Sequence, residues 1–181
     1  MRTRSPPASP APDPFAPAPE PALAATAQTA ARDALAQWRE LTRQANAAFD
    51  RRQLAHAQRL YRQALRVVDA PDWRAALAVA PDELLAARVV SHHNLAETHR
   101  RLRDPERARE QLCLAHEALT GIACDPRAGD AVRRCALRHL GRTRLALLDW
   151  QSARGVCART QVALRESAAA LARSDPGPAT H

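Results

Sequence analysis

The sequence predicts an all-α protein, an α-solenoid of three antiparallel helical hairpins. Three observations carry this. Apolar residues make up 46% of the chain but aromatics only 3%, so alanine and leucine dominate the core; both favour helix. Apolar positions recur at three- and four-residue steps, and no stretch alternates with period two. A spacing also repeats. Ala96, His99, Ala108, Leu112 and Ala115 are echoed upstream by Ala45, Ala48, Ala57, Tyr61 and Ala64, and downstream by Gly141, Arg144, Ala153, Cys157 and Thr160.

At 181 residues the chain reads as one domain with tails. A disordered Pro/Ala-rich tail is expected over residues 1–26, because residues 1–22 hold eight prolines. From Ala27 to Phe49 the stripe Leu35, Trp38, Leu41, Ala45, Ala48 predicts the first helix. Asp50 to Gln53 make a turn. Leu54, Ala57, Tyr61, Ala64 and Val68 line the second helix, closing a hairpin over 27–69. Residues 70–81 form a connector with a helical turn at Trp73–Val79, where Trp73 plugs a gap or stacks on a ligand. Asp82 is expected to cap a helix running to about Leu102. Asp104-Pro105 starts its partner, since proline fits the first helical position; Gly121 ends it, giving the second hairpin at 82–121. The third, 130–172, has its turn at Asp149 and its last helix opening at Trp150. Residues 174–181 are expected to be a frayed tail.

The formal charge is +8, and all 27 basic residues are arginine. This is the coding bias of a GC-rich, bacterial genome, with arginine filling solvated faces, or the mark of an acidic partner, since guanidinium pairs bidentately with carboxylate and phosphate. Cys113, Cys124, Cys135 and Cys157 form no C-x2-C pair and are expected to be reduced thiols in a cytoplasmic protein. No apolar run approaches a membrane span, and no secretory signal is present. Nucleophile motifs, a P-loop and a dinucleotide fingerprint are all missing. The expectation is a non-enzyme without cofactor or bound metal. The opposing metal reading rests on His92, His93, Glu97, His99, Cys113 and His116, where His93 and Glu97 stand at i and i+4.

The spacings Ala45/Ala48/Ala57/Tyr61/Ala64 and Asn94-Leu95-Ala96 through Asp104-Pro105 to Ala108 resemble tetratricopeptide repeats over about residues 34–166. Leu140-Gly141, Asp149-Trp150 and Ala153 fall at the family's Leu-Gly, Asp-Tyr and Ala offsets. The steps are longer than the family's period of about 34: 51 from Ala57 to Ala108 and 45 from Ala108 to Ala153. The resemblance implies that the first helix of each pair lines a concave groove. Arg39, Asn46, His93, Asn94, Glu97, Arg100, Arg101, Arg138, His139 and Arg142 are the expected peptide-binding residues. Asn46 and Asn94 occupy the asparagine slots of the clamp with which some members hold a terminal carboxylate. Arg138 and His139 lie near its cations, while Thr42 and Cys135 replace two lysines. The function this implies is an adaptor or small chaperone binding an acidic or C-terminal protein segment, with no membrane partner. The alternative partner is nucleic acid, held by Arg100, Arg101, Arg103, Arg107 and Arg109 and by the arginines of the fifth helix.

Overall fold

Seven helices follow one another in the computed structural model, which describes residues 20–70 and 73–174. They are α1 (Glu20–Asp50), α2 (Leu54–Val68), α3 (Trp73–Val79), α4 (Pro81–Arg101), α5 (Pro105–Cys124), α6 (Asp130–Arg154) and α7 (Ala158–Ser174). There is no strand among the described residues, and the protein is all-α. The expected tails at 1–19 and 175–181 lie outside the described residues.

The turns between α1 and α2 and between α4 and α5 are built alike. Arg52 (φ 61°) and Arg103 (φ 59°) adopt the left-handed conformation that stops a helix. The Arg52 N–H donates to the Phe49 carbonyl at 2.8 Å and the Gln53 N–H to that of Ala48 at 2.9 Å. Arg103 to Arg100 (3.1 Å) and Asp104 to His99 (2.9 Å) repeat the pattern. The Asp104 carboxylate then accepts from the Arg107 N–H at 3.1 Å, with Pro105 in the first turn.

Alanine sets the spacing of the first two hairpins. Ala45, Ala48, Ala57 and Tyr61 pack in one cluster with Leu95 of α4, so Tyr61 meets the next hairpin as well as its own. Ala96, Ala108 and Ala115 are buried in hairpin α4–α5. The larger core runs across the stack, from Ala31 and Leu35 through Leu77, Leu85 and Leu119 to Leu140. Packing proceeds in chain order: α2 lies on α4, α5 on α6 and on α7, and α1 and α2 make no extensive contact with α6 or α7. The hairpins form an open stack rather than a closed bundle.

Polar side chains fix the seams. His99 meets Gln58 Nε2 at 3.1 Å between hairpins one and two. His116 Nδ1 meets Thr143 Oγ1 at 2.8 Å between hairpins two and three. Arg159 pairs with both Glu117 oxygens at 3.0 Å, tying α7 to α5.

Four expectations are corrected. α1 begins at Glu20, inside the expected tail, because Pro21 is tolerated in a first turn and an alanine-rich run follows. Pro81 starts α4 one residue early, so Asp82 sits inside the first turn and makes no cap. α5 passes through Gly121 to Cys124. Most consequentially, α6 passes through Asp149-Trp150 and stops at Gly155 (φ 86°), since neither Asp nor Trp breaks a helix and glycine alone takes that backbone readily. The third copy therefore falls out of register: Ala153 stays exposed on α6, Cys157 lies in the linker, and Thr160, Ala163, Ser167 and Ala170 form the buried face of α7.

Candidate functional site

The expected groove residues lie on α1, α4 and α6, the first helix of each hairpin. Trp38 Nε1 donates to Ser91 Oγ at 2.8 Å, and that hydroxyl donates to the Ala87 carbonyl at 2.9 Å, locking α1 against α4. Asp82 bridges α4 to α6, accepting from Arg138 Nη2 and contacting His139 Nε2, each at 3.0 Å. Those two bonds hold its carboxyl below the ordinary carboxylate range.

The internal pairing divides the ten predicted residues. Arg138 and His139 are engaged by Asp82. Glu97 accepts from Arg100 at 2.6 and 2.7 Å and from Arg101 at 2.8 Å, and the Arg100 bond is the larger cause of its lowered pKa. Asn46, which is exposed, accepts from the Tyr61 hydroxyl at Oδ1 at 2.6 Å, a bond that does not use its amide N–H groups. Among the described residues, Arg39, Asn94 and Arg142 have no side-chain hydrogen-bond or ion-pair partner. His93 is half-buried; burial, then the neighbouring His92 and Arg142, push its pKa down, so its ring is neutral at pH 7. Two further atoms stand out: Thr42 Oγ1 and His93 Nε2 are buried without a hydrogen bond. Each such atom costs about 1–3 kcal/mol unless something satisfies it.

Cys135, expected in the groove, is instead buried in the core, because its position on α6 faces the other hairpins. The histidines that the opposing metal reading brings together are separated. His92 bonds Gln111 at 2.9 Å, His99 faces Gln58 and His116 faces Thr143. Among the described residues no three His, Cys, Asp or Glu side chains come together to hold a metal.

At the tip of the second hairpin lies a cavity of about 240 Å³ lined by Arg100, Arg103, Pro105 and Arg154, with no carboxylate in its wall. Arg154 lies over the Trp150 ring at 5.5 Å. Arg103 and Arg154 were outside the predicted groove. The signal for Arg103 was its place just before Asp104-Pro105, where a helix end demands a left-handed residue. The other arginines of that tip are mostly paired: Arg101 with Glu97, Arg107 with Asp104 and Arg109 with Glu106.

No described helix is long and apolar enough to cross a membrane. Residues 36–176 match a family model described as a protein of unknown function (DUF2753). No curated protein and no solved structure matches the chain.

Proposed function

We propose, for a chain that belongs to the DUF2753 family of proteins of unknown function, that it is a non-catalytic, tetratricopeptide-like binding module. In this reading it works as an adaptor or small chaperone, and the α1–α4–α6 face holds an acidic protein segment. One observation carries the reading. Once internal pairs are set aside, five of the predicted residues still offer cationic or hydrogen-bonding groups, Arg39, the Asn46 amide, His93, Asn94 and Arg142, while the Glu97 and Asp82 carboxylates are engaged by arginine and histidine. The carboxylate-free arginine cavity at the hairpin tip extends the same chemistry. Guanidinium and amide donors match carboxylates of a side chain or a chain terminus.

The test is fluorescence anisotropy with a labelled Asp/Glu-rich peptide bearing a free C-terminal carboxylate. Replacing Asn94 and Arg142 together by alanine is expected to weaken binding by about ten-fold or more. Undiminished binding by that variant would remove the face from the site. A single-stranded oligonucleotide that binds more tightly than the peptide, with affinity falling steeply as salt rises, would replace this reading with nucleic-acid binding.

A further inference from the structure

A second cavity, of about 300 Å³, shares no residue with that face. It is enclosed by α3, the first half of α4, the end of α5 and the turn into α6. Its floor is apolar: Leu77, Ile122 and Val132, with small alanines between them. Trp73 forms one wall. Arg88 lies over its ring at 5.6 Å and Arg74 at 5.9 Å. Arg88 is mostly buried and fixed by Asp69 at 3.1 Å. Arg127 stands at the mouth and holds Asp125 at 3.1 Å, while Arg74 reaches the same carboxylate at only 3.8 Å.

The volume is at the small end of ligand pockets, and the lining is of their kind, apolar walls with a few convergent polar groups. Arg74, Arg88 and Arg127 line the cavity; Arg88 is paired with Asp69, and Arg127 and Arg74 face the one carboxylate in the wall, Asp125. Its charge is secured, because Arg127 and then Arg74 hold its pKa down. The Arg127–Asp125 pair already displays the guanidinium–carboxylate geometry, and Arg74 is the looser partner, placed to take a second carboxylate. Both glycines in the wall are free to change: a Cβ on Gly121 or Gly129 meets no atom within 4 Å, and neither has a positive φ. A larger side chain at either position would meet open space at the cavity wall without straining the backbone.

We propose that this cavity binds a small carboxylate with a flat apolar body. The body lies against Leu77, Ile122 and Val132 beside Trp73, and the carboxylate bonds Arg74 and Arg127. Such a ligand joins α3 to the α5–α6 turn and so steadies the connector between the first two hairpins.

The probe is 2-naphthoate, titrated into the full chain by isothermal calorimetry, with the neutral 2-naphthamide as control. One site is expected. Arg74→Ala combined with Arg127→Ala should weaken it about ten-fold, and naphthamide should bind about ten-fold more weakly than naphthoate. Gly121→Phe fills the cavity from a helix that gains propensity by losing glycine, so it should abolish the heat while leaving the circular dichroism unchanged. Gly129→Leu serves the same purpose from the turn, should Gly121→Phe disturb α5. No heat from the parent chain at millimolar probe, or equal affinity in a folded cavity-filled variant, would overturn the proposal. Equal affinity for naphthamide would overturn the carboxylate assignment.

Discussion

His116 is wholly buried, and burial, followed by the charge of Arg144, pushes its imidazole down to about 4 from 6.5, against the pull of the Ala163 backbone. The folded ring thus takes up a proton less readily than the unfolded one. Its contribution is complete above pH 6.5 and is lost as pH falls from 6.5 towards about 4. That loss amounts to about 3 kcal/mol at most. His92, His93 and His99 are shifted the same way, each chiefly by burial, and add to the slope. Denaturant midpoints are therefore expected to drop between pH 7 and pH 4.5; a flat profile would contradict the buried, neutral placement of these rings. The thiols should separate as sharply. Burial raises Cys113 to about 11, whereas Thr160 bonds and Arg109 outweigh burial to lower Cys157 in the linker. Since the thiolate is the reactive form, mass spectrometry after brief iodoacetamide treatment should find Cys157 modified well before Cys113.

Helix ends are where single residues govern elements. Left-handed backbone costs a side-chain-bearing residue about 1 kcal/mol or more relative to glycine. Arg52→Gly and Arg103→Gly should each stabilise the fold by roughly 1 kcal/mol, read as a higher urea midpoint with unchanged slope. Gly155 is the converse. At φ 86°, ψ 166° it occupies a region closed to other residues, so Gly155→Ala should cost about 1–3 kcal/mol. Those two kinds of helix end also explain what the sequence could reveal. Asp104-Pro105 is a local signal with a local cause, and the boundary it predicted lies where expected. The turn expected at Asp149-Trp150 rests on residues with no helix-breaking chemistry, and the break falls at Gly155 instead. Pro21 misleads in the other direction, because in sequence a proline in a first turn reads like the prolines that precede it. In the groove, periodicity placed Arg39, Asn46 and Asn94 on their helices, but nothing local to Asp82 foretold that it would engage Arg138 and His139 from another hairpin. Such pairs depend on how hairpins stack, which one-dimensional spacing does not contain.

Across the whole molecule, contacts are uneven. α6 packs far more extensively on α5 than on its own partner α7, and α7 also leans more on α5 than on α6. Stability in a stacked array is shared between neighbours, so a thinly held terminal helix opens first. Native-state hydrogen exchange should show α7 amides exchanging faster than those of α4 and α5. Equal protection throughout would mean that the last helix folds and unfolds with the rest. The seams described above carry one more implication. Gln58 answers His99 at one junction, while Thr143 and Arg159 answer His116 and Glu117 at the other. Like keys cut for different locks, these partners cannot be exchanged. Shuffling or duplicating a unit would strand a buried imidazole, so this array, unlike a run of identical modules, admits one sequence of units and one length.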